Sequence, residues 1–134
     1  MSNWLHVAGV IRIDAIRFKN DDESDFDKLI GKECLWKSSE KVWIDANKNP
    51  DSYLPMGSEG SLQKSVWINP NLSHINAYIV TIFGDLRDRG NIDEIIEWFK
   101  RICKKIETDE MYIGVRQAVI TVDNECGVVK TYTN

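Results

Sequence analysis

Between residues 92 and 106 the sequence has an apolar stripe with helical spacing. Apolar residues recur every three or four positions, as one face of an α-helix requires, and they are Ile92, Ile95, Ile96, Phe99, Ile102, Cys103 and Ile106. Asn91 occupies the N-cap position, and Glu94 completes a capping-box pattern. The pattern predicts a helix that begins after Asn91 and buries this stripe. Trp98 lies off the stripe, and we expect it to be partly exposed.

Five other segments have the composition and alternation that are typical of β-strands. They are residues 5–13, 62–68, 77–83, 115–122 and 128–133. Because turn-forming residues fill positions 123–127, the last two segments are predicted to pair as a hairpin.

Residues 24–31 have a short helical pattern, and residues 34–37 and 42–45 are interpreted as a hairpin. A long loop is predicted over residues 46–61. The order strand, helix, strand, strand, helix, strand predicts an α+β fold, a ferredoxin-like α/β sandwich. We expect an antiparallel sheet with two helices on one face and a C-terminal β-hairpin extension. A length of 134 residues fits a single domain over residues 1–134.

The balance of charge restricts the classes of partner. The net charge is -4, and neither half of the chain is basic. Nucleic-acid binding normally needs a clustered positive surface, so duplex nucleic acid is not expected as a partner. No segment reaches the ~20 apolar residues of a membrane span, and no polybasic anchor is present, so no membrane association is expected. Three scattered cysteines, Cys34, Cys103 and Cys126, indicate free thiols and a cytoplasmic location.

Two loops are candidates for a ligand site. The first, residues 84–90, leads from a strand into the predicted helix, whose start presents unpaired backbone N–H groups. Gly84 and Gly90 allow tight turns there, and Arg87 and Arg89 could add charge-assisted hydrogen bonds to a phosphate or carboxylate. The alternative interpretation is a polar loop whose arginines pair with nearby acids. The absence of any P-loop or GxGxxG pattern favours that alternative.

The second loop, residues 55–61, is rich in glycine and small residues. It could surround a ligand through Gly57 and Ser58, with Tyr53 and Trp67 as flanking stacking surfaces. The alternative is that the segment only connects two structural elements.

No catalytic, metal or cofactor motif is evident in the sequence. His6 and His74 have no carboxylate or cysteine at ligand spacing, so each is interpreted as a satisfied or exposed side chain. No serine or cysteine lies in a nucleophile motif. The strand that would bear the stacking aromatics of an RNA-recognition domain has Tyr78 and Phe83 on opposite faces, so that pattern fails. We therefore expect no catalytic residues, no metal and no cofactor.

Three segments of the sequence form a pattern together. They are YLPMGSEGSLQKSVWINPN (Tyr53 to Asn71), AYIVTIFGDLRDRG and IEWFKRIC. In these segments, and over most of its length, the chain resembles a family of small uncharacterised bacteriophage proteins. The family has no assigned activity, so the resemblance implies only a context, that of an accessory phage protein that neutralises a host component in the host cytoplasm. Some proteins of that class sequester nucleotide immune signals.

Three hypotheses of function follow, in this order. The first is a non-enzymatic accessory binding protein that sequesters a small anionic, nucleotide-like host signal through the two loops. The second is a protein-binding inhibitor or an assembly subunit that acts through exposed aromatics, with Trp4, Trp36 and Trp43 as candidates. The third is an enzyme with an unrecognised site. A homo-oligomer is expected by analogy with other ferredoxin-like sheets.

Overall fold

The computed structural model describes residues 3–16, 23–33, 52–68, 75–88, 91–108 and 112–134. Its elements, in chain order, are β1 (Trp4–Ile16), α1 (Glu23–Leu29), β2 (Gln63–Ile68), β3 (Ile75–Arg87), α2 (Ile92–Glu107), β4 (Tyr112–Asp123) and β5 (Val129–Thr133). This is an α+β fold, and both predicted helices and all five predicted strands are confirmed. The hairpin predicted over 34–37 and 42–45 lies outside the described residues.

The five strands form one open antiparallel sheet in the order β2-β3-β1-β4-β5. Strand β1 is central and pairs with β3 along its whole length. Its register with β4 shifts between Arg12 and Ile13 and again between Asp14 and Ala15. Strand β5 returns from β4 through a short turn and forms one edge of the sheet, while β2 forms the other.

Alternation along β1 divides the sheet into two faces. The buried set of β1 is Leu5, Val7, Ile11 and Ile13, each at most 5% exposed. We call this side the core face. The opposite set is His6, Ala8, Val10 and Arg12. We call that side the exposed face, because its side chains are open to solvent or only half-buried.

Helix α2 forms as its apolar stripe predicts. Burial of each large apolar side chain of the stripe stabilises the fold by about 1.5–3 kcal/mol. The Oδ1 of Asn91 accepts a hydrogen bond from the backbone N–H of Glu94 at 3.0 Å, which confirms the predicted N-cap. Trp98 is only 4% exposed, so the expectation of partial exposure is wrong. Trp98 packs beside Phe99 (ring centroids 6.5 Å apart), and its indole Nε1 has no hydrogen-bond partner in the described part of the chain.

Aromatic contacts connect each helix with side chains of the core face. Phe26 of α1 lies 5.2 Å from Tyr78, the register partner of Ile13, and Phe99 of α2 lies 6.1 Å from Tyr132 in β5. The Nζ of Lys105 donates a hydrogen bond to the carbonyl oxygen of Lys28 at 2.8 Å, which ties α2 to the end of α1.

One cation is buried on the core side of edge strand β2. The side chain of Lys64 is 7% exposed, and its ammonium donates to the carboxylate of Asp27 and, at 2.9 Å, to the carbonyl oxygen of Gly31. A buried charge is tolerated only when it is paired and hydrogen-bonded, so this contact fixes α1 against β2.

Candidate functional site

Arg87, a predicted anion ligand, is the last residue of β3 and is paired with acids. Its Nη1 lies 3.1 Å from the carboxylate of Glu59, and its Nε lies 3.6 Å from that of Asp88. The guanidinium is therefore already surrounded by negative charge. This arrangement agrees with the alternative interpretation of the loop, in which the arginines pair with nearby acids. Arg89 and Gly90, the other predicted residues of this loop, lie outside the described residues.

The predicted wrapping loop, residues 55–61, packs on the end of β3. The N–H of Ser58 donates to the carbonyl oxygen of Arg87 at 2.8 Å, and the N–H of Arg87 donates to that of Glu59 at 3.0 Å. A Cβ at Gly57 would overlap the backbone of Arg87, so a side chain there is excluded. In this structure Gly57 and Ser58 serve the contact with β3.

Gly84 has the same role on the β3 side of this contact. Its φ is +152°, and an added Cβ would lie 2.8 Å from the carbonyl oxygen of Ser61 and 3.1 Å from the Cα of Leu62. Two backbones thus approach closely where the sequence predicted room for a ligand.

The two aromatic residues predicted to flank that loop have different surroundings. Tyr53 is half-buried and forms an isolated parallel bridge with Lys32. Trp67 lies on β2, six residues after Ser61, which corresponds to about 20 Å along an extended strand. The structure therefore does not place Trp67 beside the loop.

An open cavity of about 520 Å³ lies at the start of α2, where the sequence predicted a ligand site. Its walls come from the first residues of β1, the start of α2 and the β4–β5 turn, and its lining is Asn3, Leu5, Asp88, Asn91, Ile92, Asp93, Asn124, Cys126, Val128 and Lys130. Of the predicted site residues that the structure describes, none lines it.

The charges around this cavity do not favour an anion. Lys130 is the basic residue in its lining, and its Nζ lies 2.8 Å from the carboxylate of Asp93. Asp88 adds a second carboxylate, and the N-cap side chain of Asn91 already occupies one backbone N–H of the helix start. The lining therefore has two acids against one paired cation, which offsets the partial positive charge of the helix end.

A histidine between two carboxylates lies at one end of the exposed face. The Nδ1 of His6 is 2.5 Å from Asp85, its register partner in β3, and its Nε2 is 2.5 Å from Glu125 in the β4–β5 turn. The turn is held by Asn124, whose Oδ1 accepts from the N–H groups of Cys126 and Val128. This turn geometry brings Glu125 to the histidine.

The pKa of His6 is raised above its ordinary value of 6.5. The hydrogen bond to Asp85 is the largest cause and that to Glu125 the second, while burial has a smaller, opposite effect. Both ring nitrogens are occupied, so neither is available to accept a proton from a substrate. The arrangement is that of a satisfied histidine, as the sequence predicted, although the partners themselves were not predicted.

Large apolar side chains are exposed together on the exposed face. Trp67 is 53% exposed, Phe83 44% and Val10 38%, and Ile79 lies between Trp67 and the centre of the sheet as the register partner of Trp67. We call these four residues the aromatic patch. A solvated sheet face normally alternates to polar residues, so the aromatic patch departs from the usual composition of such a face.

The exposed face has opposite charge at its two ends. At the end near the start of β1, Asp85, Asp123 and Glu125 surround His6, which leaves a net negative charge even when the histidine is protonated. We call these three acids the acidic end.

The opposite end of the exposed face is cationic. Arg12 lies there, and Arg116 donates to Asp14 at 3.3 Å, so this end bears two guanidinium groups and one carboxylate.

No group of three or more potential metal ligands occurs among the residues whose positions are described. Within the same ranges, no helix is long and apolar enough to cross a membrane. No family model, no curated protein and no solved structure matches this chain.

Two of these contacts could not be predicted from the sequence. Glu59 meets Arg87, and Glu125 meets His6, across long stretches of chain, and the sequence contains no spacing signal for either contact. Trp4, proposed as an interface residue, is half-buried, and Trp36 and Trp43 lie outside the described residues.

Proposed function

We propose that this chain is a non-enzymatic binding protein that uses the aromatic patch to hold a partner protein. The observation that supports this most directly is the exposure of Trp67 and Phe83 on one sheet face, because large aromatics at the centre of an interface contribute most of its binding energy. The function is the second of the hypotheses derived from the sequence, with different aromatic residues.

The proposal includes a ferredoxin-like arrangement in which both helices cover the core face. The strand order β2-β3-β1-β4 and the contacts of Phe26 and Phe99 with core-face aromatics support it. Under this arrangement the exposed face has no cover from the helices.

The charge of the face indicates the chemistry of the partner. A surface that fits it has an apolar centre, which meets the aromatic patch, and basic side chains, which meet the acidic end. Basic groups would be attracted to Asp85, Asp123 and Glu125 and repelled from the end that bears Arg12. The partner would therefore bind in one orientation.

The test begins by capturing partners from a bacterial lysate on the immobilised full chain and identifying the captured protein by mass spectrometry. That protein is then purified and titrated against the wild type and the variants Trp67→Ala and Phe83→Ala by calorimetry. We expect each variant to bind at least about tenfold more weakly, because loss of a buried aromatic anchor costs about 2 kcal/mol. Raising the salt concentration should also weaken binding.

Lys104→Ala, a change on the exposed side of α2, is the matched control and should bind like the wild type. A purified partner whose affinity is the same for the wild type, Trp67→Ala and Phe83→Ala would overturn the proposal.

Capture of a small nucleotide-like anion, within the phage context that the sequence resemblance implies, stays a prediction. The cavity at the start of α2 supports it, while the acids around Arg87 and in that cavity oppose it. A panel of nucleotides at millimolar concentration distinguishes it from the proposal. A rise in melting temperature that Arg87→Ala abolishes and Trp67→Ala preserves would favour anion capture, since ligand at 100 Kd stabilises by about 2.7 kcal/mol.

A further inference from the structure

The backbone of β5 has a row of outward-facing hydrogen-bonding groups. The N–H of Asn134 donates to the carbonyl oxygen of Ala118 at 2.9 Å. The N–H of Asn124 donates to the carbonyl oxygen of Val128 at 3.1 Å. Since hydrogen bonding alternates along an antiparallel strand, even-numbered residues of β5 face β4, and Val129, Thr131 and Thr133 face away. Among the residues that the structure describes, nothing pairs with these three.

The other edge of the sheet differs, because the chain itself covers it. On β2 and the residue before it, the N–H of Leu62 donates to the carbonyl oxygen of Pro55 at 3.0 Å, and that of Lys64 donates to the carboxylate of Glu33 at 3.2 Å.

Strand β5 has few of the features that discourage pairing, namely its length of five residues and the inward-pointing charge of Lys130. It has no proline and one charged residue, Lys130, whose ammonium is directed to Asp93 on the core side at 2.8 Å. Val129 is 56% exposed on the strand, and Val128 is 43% exposed just before it. Natural edge strands are normally protected by short length, prolines, charged side chains or bulges. The outward-facing residues of β5 carry neither a proline nor a charge, so this edge can accept a strand.

We propose that two copies of this chain pair antiparallel through β5, in a register centred on Thr131. In that register every outward residue meets an outward residue, since Thr131 faces the second copy's Thr131 and Val129 faces the second copy's Thr133. About six new backbone hydrogen bonds form.

The side chains of β5 are compatible with this self-pairing. Lys130 falls opposite the second copy's Tyr132, so no charge is placed directly against a like charge, which would oppose pairing. The same two-fold relation joins the two sheets into one, with the two exposed faces on the same side. The inference does not rest on the proposed partner protein, because it concerns the edge of the sheet and not the aromatic patch.

Pairing of two five-residue strands buries less surface than the roughly 1,200 Å² of a stable complex, so the dimer is weak. We expect a dissociation constant of about micromolar or higher, measured by sedimentation velocity over a wide range of protein concentration. Position 131 faces itself in this register, so Thr131→Lys and Thr131→Glu should each weaken self-association at least about tenfold by like-charge repulsion. An equimolar mixture of the two variants should restore the dimer.

Thr131→Val, which keeps the backbone and replaces the hydroxyl with a methyl group of similar size, is the control and should dimerise like the wild type. In the wild type, amide hydrogen exchange at Val129, Thr131 and Thr133 should slow as protein concentration rises, and this measurement does not depend on the folding of any variant. The inference is overturned by a wild type that stays monomeric up to about millimolar concentration. It is equally overturned by a dimer that forms without protecting these amides, or by a mixture of the charged variants that stays monomeric.

Discussion

His6 is half-exposed between Asp85 and Glu125, and its charge stabilises the end of the exposed face in a pH-dependent way. Because the folded-state pKa of His6 is raised, its contribution to the free energy of unfolding is complete below the ordinary value of 6.5. The contribution is lost as the pH rises through the folded-state pKa. Asp123, the register partner of His6 in β4, adds negative charge nearby.

We expect His6→Gln to be less stable than the wild type at about pH 5.5 by no more than about 1 kcal/mol, since the pairs are solvent-exposed. The difference should decrease at about pH 9, because more of the wild-type histidine is neutral there than at pH 5.5. Urea unfolding at both pH values measures it. A difference that is the same at both pH values would contradict this prediction.

The two described cysteines should differ in reactivity. Burial, together with the charge of Glu107, raises the pKa of Cys103 to about 12, so its thiol stays protonated at neutral pH. Cys126 is exposed in the β4–β5 turn. With iodoacetamide at neutral pH, peptide mapping by mass spectrometry should find Cys126 alkylated and Cys103 intact, whereas in urea both react. Equal labelling of both in the folded protein would show that the prediction is wrong.

At this scale the sequence was informative where a residue acts through its neighbours along the chain. Asn91 was predicted as a cap because a cap bonds within three residues. The partners of His6 and Arg87 depend on strand register and loop path, which local patterns do not encode. The burial of Trp98 was not predicted because the buried face of the helix is wider than the apolar stripe and includes this large indole.

The contact between the loop 55–61 and strand β3 depends on a glycine that accepts both an unusual backbone conformation and a close neighbour. Gly60 has φ +78°, and a Cβ there would overlap the carbonyl oxygen of Asp85. Gly127 has a similar φ of +84° with nothing within 4 Å of its added Cβ. Substitution at Gly127 therefore introduces backbone strain alone, whereas substitution at Gly60 introduces both strain and steric overlap.

We expect Gly127→Ala to lower the free energy of unfolding by about 1 kcal/mol through left-handed strain alone. Gly60→Ala should cost at least about 2 kcal/mol more, because overlap with a neighbouring backbone adds to the strain. Chemical denaturation of both variants gives the difference. Equal losses would mean that the loop moves away from β3 without cost.

The ion pair of Lys64 and Asp27 gives a second test of how elements are joined. We expect Asp27→Ala to cost about 2 kcal/mol, because it leaves a nearly buried ammonium without its carboxylate. Lys64→Met should cost less than about 1 kcal/mol, since Asp27 is partly exposed and can be solvated. Lys100→Met, which removes a surface pair with Glu97 and a cation–π contact with the ring of Tyr132, is the control and should cost no more than about 1 kcal/mol. Equal losses for Asp27→Ala and Lys64→Met in urea unfolding would contradict this.

Elements with regular periodicity were predictable because burial imposes a repeat on their sequence. All seven residues of the α2 stripe are buried, with Trp98 in addition, and β2 alternates between exposed and half-buried positions. The loop 55–61 has no such repeat. Its glycines were consistent with a ligand site and with tight packing, and only the contacts of Gly57 and Gly60 with β3 distinguish the two.

For the whole molecule, the central position of β1 predicts which parts of the sheet unfold last. Its middle residues are paired on both sides, with Ile11 between Val80 and Ala118, so their amides are exposed only when the sheet as a whole unfolds. Native-state hydrogen exchange should show amide protection at Ile11 that follows global stability in increasing denaturant. Tyr132, in edge strand β5, should exchange faster by local opening. Exchange of Ile11 that is insensitive to denaturant would contradict this.

The α+β class and the order of elements could be read from the sequence because each element has its own periodic signal. Strand order was accessible only through analogy with known topologies, and the register was not accessible. Register decides which side chains share a face, and for that reason the aromatic patch and the acidic end emerged only with the structure. Trp67 was singled out from the sequence, but as part of a different site.

The contrast between Trp67 at 53% exposure and Trp98 at 4% has a practical consequence, because indole emission depends on contact with water. Two of the five tryptophans therefore lie in opposite environments, and acrylamide should quench Trp67 far more efficiently than Trp98. A molecule that covers the exposed face would shield Trp67 and leave Trp98 unchanged. Binding could then be followed optically with no label attached.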